Sequence, residues 1–163
     1  MTPTTALNRF ASDNRKHNLY LNEPRAKMHY GFRTGSLKFL LKPLEKVEVI
    51  EAVPTCPVPN TPGWFAGMIN LRGDLVPVFD INFLITKIPA STKWIMVFRH
   101  GRCSAGIYID TLPYAINPDT GIYEQPVIPE ILQECVENVY GQNDDIWLET
   151  DFEKFFLGLR TRF

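Results

Sequence analysis

The chain has 163 residues, 45% apolar and 21% charged, with a formal net charge of −1. This is the composition of an ordinary soluble globular protein, able to bury about 70% of its unfolded surface, and no apolar run approaches the ~20 residues of a membrane span. The near-neutral balance argues against a nucleic-acid or lipid-surface partner, and three cysteines far apart, in no CxxC spacing, argue for reduced, packed thiols over a zinc site or disulfide framework.

Residues 1–28 are polar and mixed in charge, with Leu7, Phe10 and Asn14 giving at most a hint of a short helix. They read as a flexible arm, and the lack of a compact apolar stretch beside Arg9, Arg15, Lys16 and Arg25 leads to the expectation of a cytoplasmic protein. Regular patterning begins at Tyr30–Thr34, turns at Gly35-Ser36 and returns over Leu37–Leu41, which is a hairpin by spacing and turn chemistry. Pro43 ends that strand and Val47–Ile50 reads as another. Pro54, Pro57, Pro59 and Pro62 then forbid a helix before the next element.

From Trp64 to Asp80 two apolar runs are joined by one polar knot, Asn70 to Asp74, predicting strand, tight turn, strand. Arg72 sits inside the knot. A guanidinium cannot shed its charge, so it either pairs with a carboxylate of its own fold or stands at the surface for a partner. Ile81–Leu84 is a short apolar piece, and Thr86–Lys93 is a linker that would suit a subdomain boundary.

A second hairpin follows: the continuous apolar run Trp94–Phe98, a turn at His100-Gly101, and a strand from Cys103 to Ile109 ending at Asp110. Tyr114–Ile116 predicts one more strand and Asn117–Gly121 a turn cluster. Pro129 opens a brief helix carrying Ile131, Leu132 and Cys135, and Val136–Tyr140 and Ile146–Leu148 are closing strands. Thr150-Asp151-Phe152-Glu153 has the capping-box pattern, starting a helix whose Phe152, Phe155, Phe156 and Leu159 fall at helical spacing. The architecture expected is all-β with short helices. Gly67 to Asp80 and Trp94 to Asp110 echo each other, which suggests two small barrels of about five strands each, packed together.

No catalytic constellation is visible: GxSxG, HExxH, GxxxxGKS and GxGxxG are absent. His17, His29 and His100 fall in the arm, at a strand entrance and in a turn, so no metal triad or cofactor is expected. Cys103 reads as a packed thiol, and Asp80 and Asp110, at matching strand ends, as local turn or cap groups. The Arg72 turn is either a structural hairpin, with the arginine on Phe65 or Phe79 and paired to Asp74, or a recognition surface.

Asn60-Thr61-Pro62, Gly67, Asn70-Leu71-Arg72-Gly73 and Val76-Pro77-Val78-Phe79-Asp80, in that order, resemble the signature of the CheW-like domain of bacterial chemotaxis systems. Upstream, Glu48 falls where that family has a glutamate. Downstream, Ala105-Gly106-Ile107-Tyr108-Ile109-Asp110 and Ile146-Trp147-Leu148 are similar to its later strands. Lys46, Thr111-Leu112-Pro113 and the proline-rich loop from Thr120 to Pro129 depart from the pattern. The polar arm, the Gly31-Phe32-Arg33-Thr34-Gly35 opening and the length are most similar to the branch of the family that serves pilus-linked twitching.

The resemblance implies one domain over 29–163, made of two intertwined SH3-like five-stranded β-barrel subdomains with a groove between them and a C-terminal helix. It implies a non-catalytic adaptor in the cytoplasm, at receptor arrays under the inner membrane. There it would couple the cytoplasmic tip of a methyl-accepting chemoreceptor to the regulatory domain of a CheA-type histidine kinase. The output would be type IV pilus twitching or, alternatively, flagellar chemotaxis. Carried over by position, the receptor-facing set is Glu48, Gly67, Asn70, Arg72, Trp94, Ile95 and Gly106. In that set glycine would permit close approach of a helix, Trp94 and Ile95 would offer apolar area, and Glu48 and Arg72 directional charge; that pair is equally able to bind each other and shape the groove. From another class, a β-barrel binding a small ligand or RNA would need a basic groove with exposed aromatics, against which the near-neutral charge counts.

Overall fold

The computed structural model describes residues 28–118 and 126–163. The arm up to residue 27, with Leu7, Phe10, Asn14 and His17, lies outside them, as do the last three residues of the Asn117–Gly121 cluster and most of the Thr120–Pro129 loop. Among the described residues ten strands form two five-stranded sheets. The first contains β1 (His29–Thr34), β2 (Leu37–Leu40), β8 (Tyr114–Ile116), β9 (Val136–Gln142) and β10 (Asp145–Thr150), in the order β8-β1-β2-β10-β9. The second contains β3 (Val47–Glu51), β4 (Phe65–Leu71), β5 (Asp74–Phe79), β6 (Trp94–His100) and β7 (Cys103–Ile109), in the order β3-β6-β7-β5-β4. Three helices, α1 (Ile81–Thr86), α2 (Glu130–Gln133) and α3 (Phe152–Leu159), and a 3-10 turn at Arg160–Arg162 are the helical elements among the described residues. None of them is long and apolar enough to cross a membrane.

Both sheets follow one plan. Strand β2 of the hairpin β1–β2 pairs parallel with β10 of the hairpin β9–β10, and β7 of the hairpin β6–β7 pairs parallel with β5 of the hairpin β4–β5. A fifth strand, β8 or β3, adds antiparallel to β1 or β6. The repeat extends to the caps. Asp80 accepts from Phe83 N at 2.8 Å to start α1, and Asp151 accepts from Lys154 N at 3.0 Å to start α3. The backbone N–H of Asp80 bonds Trp64 O and that of Asp151 bonds Cys135 O, both at 2.8 Å.

The expected echo is therefore phased differently. Gly67–Asp80 and Trp94–Asp110 belong to the same sheet, and the equivalent hairpins are β4–β5 with β9–β10 and β1–β2 with β6–β7. Thr86–Lys93 joins α1 to β6 within one sheet and marks no boundary; the chain changes sheets between Leu40 and Val47 and again between Ile109 and Tyr114. The turn of the second hairpin is Gly101-Arg102, since His100 pairs with Cys103. Thr150 does not cap α3. It is the last residue of β10, fully buried, so the cap falls to Asp151. The apolar piece after Asp80 is helical, capped by that aspartate, which satisfies the otherwise free N–H group of Phe83.

Three apolar clusters explain the patterning. One lies inside the second sheet (Ile69, Val76, Val78, Ile95, Val97, Tyr108) and a smaller one inside the first (Leu40, Ile116, Trp147). The largest joins residues of both sheets and α3, including Phe32, Phe39, Met96, Phe98, Ile107, Ile109, Phe152 and Phe155. Along β6, Ile95 and Val97 enter one cluster and Met96 and Phe98 the other. With both faces covered, the strand reads as a continuous apolar run instead of an alternation.

The first sheet is tied to α3 by charge. Lys42 Nζ bonds Asp151 at 3.1 Å and Glu137 at 3.2 Å. Hydrogen bonding to Asp151 raises the Lys42 ammonium. Burial pushes the Asp151 carboxyl up, but the bonds from Lys154 N and Lys42 outweigh it and leave the net shift downward. A carboxyl depressed in the folded state stabilises above its unfolded pKa of about 3.9, and that stability is lost as pH falls through the folded value. Urea denaturation below about pH 4 is expected to show falling stability, and Asp151→Asn to flatten that acid limb; equal pH slopes for the two proteins would exclude Asp151 as a source.

Candidate functional site

Arg72 and Gly73 are the two central residues of the β4–β5 turn, with φ of 54° and 91°, and Asn70 Oδ1 steadies the turn by accepting from Gly73 N at 2.8 Å. A non-glycine residue in the left-handed region is uncommon, and here it aims the arginine across the sheet. Arg72 Nη1 donates to Glu48 Oε2 at 3.1 Å, and its Nη2 to Glu48 Oε1, a two-point clasp. Arg99 Nη2 donates to the same Oε2 at 3.2 Å, and Arg99 Nη1 lies 4.0 Å from Asp74. The result is a chain of alternating charge: Asp74, Arg99, Glu48, Arg72.

Glu48 belongs to β3 and Arg72 directly follows β4, the two outer strands of the sheet, so they can meet only because the sheet curls. Other closures lie nearby. Cys56 and Met68 exchange backbone hydrogen bonds of 2.7 and 2.9 Å, and Thr55 Oγ1 donates to Ala66 O at 2.7 Å. The clasp from Arg72 holds the Glu48 carboxyl below the usual carboxylate range against a desolvation cost, with Arg99 adding to it; Glu48 in turn raises the Arg72 guanidinium. Arg72 remains 66% exposed and Glu48 26%, so the outer face of the pair is open to solvent.

Glu48, Asn70 and Arg72 thus converge at one surface. Trp94 stands at the far end of β6, opposite Glu51, half-buried, with Lys93 Nζ 5.8 Å from its ring. Gly67, Ile95 and Gly106 do not reach the surface. Ile95 is fully buried and offers no contact area, and a methyl on Gly106 would stand 3.0 Å from its Cγ2. Gly67 is buried with φ of 122°, and a methyl there would overlap the Cys56 carbonyl. Its missing side chain makes room for the Cys56 segment of its own fold. Arg72 also does not take Asp74, which faces Arg99 instead.

Sequence reasoning missed Arg99 and the loop before β3. There the turn Lys42–Glu45 closes with Glu45 N on Lys42 O at 3.2 Å and places Leu44 at φ 66°, 97% exposed. That position after a proline ordinarily takes glycine or asparagine, so the strain is visible only once the turn is known. His100 Nε2 meets Glu45 Oε1 at 2.7 Å beneath it, on the wall of a cleft of ≈ 490 Å³ that also includes Arg99, Lys46 and Glu153. Two thiols are corrected as well: Cys103 and Cys56 are exposed, and only Cys135 is packed, its thiol pushed up by burial.

Residues 30–156 match the CheW-like domain family. The chain is 32% identical over 122 residues to the chemotaxis protein CheW of Helicobacter pylori, covering 70% of this chain and 72% of that protein. It is 28% identical over 124 residues to the protein PilI of Pseudomonas aeruginosa, covering 72% and 68%. The crystal structure of the scaffolding protein TtCheW from Thermoanaerobacter tengcongensis aligns with a TM-score of 0.67 at 23% identity, over 84% of this chain and 92% of that one, a likeness of fold. The architecture is the two-subdomain SH3-like one expected from the sequence.

Proposed function

Because the chain belongs to the CheW-like domain family, we propose that it is a non-catalytic adaptor that couples the cytoplasmic tip of a methyl-accepting chemoreceptor to the regulatory domain of a CheA-type histidine kinase. The observation that carries this reading is the exposed Glu48–Arg72 clasp, flanked by Arg99, Asp74 and Asn70 on a rigid sheet closure. Such a surface presents fixed, directional charge to another protein, with Trp94 adding apolar area at a distance; Gly67, Ile95 and Gly106 support it from beneath. Single contacts of this kind are weak, and many copies in an array raise effective concentration enough to make them useful.

The output proposed is type IV pilus twitching, supported by the likeness to PilI. The second reading, coupling to a flagellar motor, is favoured by the higher identity to the Helicobacter CheW protein. Deleting the gene and scoring twitching against swimming separates them. The coupling itself is tested by co-purifying the protein with a receptor signalling fragment and a CheA-type kinase. Arg72→Ala is expected to leave the circular dichroism spectrum unchanged and weaken receptor capture by roughly tenfold or more, the scale of an interfacial hot spot. Undiminished capture by the folded variant would confine Arg72 to closing the sheet.

A further inference from the structure

The β1–β2 turn is pressed against the second sheet. Gly35 N donates to Asp110 Oδ2 at 2.5 Å, Asp110 N donates to Arg33 O at 2.8 Å, and Arg33 N donates to Thr111 Oγ1 at 3.2 Å. Asp110 was expected to serve its own turn; it instead spans two subdomains. Asn82, from α1, packs so closely that a methyl on Gly35 would overlap its carboxamide. Three polar oxygens around this turn are buried with no partner in the protein: Thr34 Oγ1, Asn82 Oδ1 and Asp110 Oδ1. Thr34 is 0% exposed and Asn82 5%. The orientation of Asn82 is fixed, because its Nδ2 donates to Ile88 O at 2.9 Å.

The inventory is unbalanced in one direction. A carboxylate oxygen and an amide oxygen only accept, whereas the Thr34 hydroxyl has one proton to give. Buried polar oxygens left alone are costly, and they come here from β1 of the first sheet, from α1, and from the residue that follows β7 of the second. One water molecule placed among them would correct the deficit, its two O–H groups serving Asn82 Oδ1 and Asp110 Oδ1 and its oxygen accepting from Thr34. Three hydrogen bonds are the usual complement of an internal water. We propose that Thr34, Asn82 and Asp110 hold one long-lived internal water that pins the β1–β2 turn of the first subdomain to the second. The pin fixes how the subdomains sit, and with it the groove between them.

Thr34→Val tests the site because it keeps the shape and the β-branch and removes only the hydroxyl. Oxygen-17 relaxation dispersion is expected to count one fewer long-lived water than in the unmodified protein, with a lower urea midpoint. Thr34→Ser, which keeps the hydroxyl, is expected to retain the water. An unchanged water count in Thr34→Val, or a midpoint equal to or above that of the parent, overturns the proposal, since deleting a buried hydroxyl that bonds nothing would stabilise. Loss of the water in Thr34→Ser overturns it too. A cation is the other species three oxygens could hold. The midpoint is expected to be the same in sodium, potassium and N-methylglucamine chloride at equal ionic strength, and a fall in N-methylglucamine alone would replace the water with a metal ion.

Discussion

Replacing Phe152 with alanine is expected to lower the unfolding free energy by about 3–5 kcal/mol, the range for emptying a large aromatic site in a packed core. Phe152 is the first residue of α3 and fully buried. Its ring stacks on Phe98 of the second sheet at 4.4 Å between centroids and meets Phe39 and Phe32 of the first at 5.6 and 5.8 Å. No other single side chain of α3 joins these three rings, so one truncation loosens both subdomains. Urea denaturation followed by tryptophan fluorescence and by circular dichroism checks this. The loss is expected as one cooperative transition shifted to lower urea, and separate transitions for the two sheets would contradict a shared core.

Gly67→Ala is the second large effect, about 2–4 kcal/mol, from two sources that add. The backbone there has φ of 122°, a conformation that side chains resist, and the new methyl would meet the Cys56 carbonyl, a backbone atom that cannot swing aside. Gly73→Ala is the control. It also has positive φ, at 91°, but open space around it, so only backbone strain of about 1 kcal/mol is expected. If Gly67→Ala abolishes partner binding, thermal melts are expected to show the loss proceeding in step with stability. A well-folded Gly67→Ala protein that fails to bind would instead restore Gly67 to a direct contact.

The strands and their turns were legible because period, glycine and proline placement act locally. The pairing of sheets was not: β1–β2 joins β10 across the length of the chain, and nothing in either segment names its partner. The Asp80 and Asp151 caps show the same limit. Both lie in readable contexts, yet the chain offers Thr150 and Asp151 side by side, and only the burial of Thr150 decides between them. At the surface, the resemblance named Glu48, Asn70 and Arg72, which the fold sets side by side. It could not say that Ile95, in a run buried on both faces, points inward, or that the Thr55–Cys56 segment of the same protein fills the space above Gly67. Arg99 escaped notice because an arginine at the end of an apolar strand has the same sequence signature whether it is solvated or shared between Glu48 and Asp74.

The strand pairing β2 with β10 matches Phe39 to Leu148, whereas every strand of the second sheet comes from the uninterrupted span 47–109. A chain emerging from the ribosome therefore has every strand of the second sheet well before the first sheet can close, while Met96, Phe98, Ile107 and Ile109 still await the rings of α3. Until β9 and β10 arrive, the β1–β2 hairpin carries an open edge and the apolar side chains Phe32, Phe39 and Leu40. Synthesis order thus lets the second sheet pair first, and until the last strands and α3 are made the core shared by the two sheets stays open on one side.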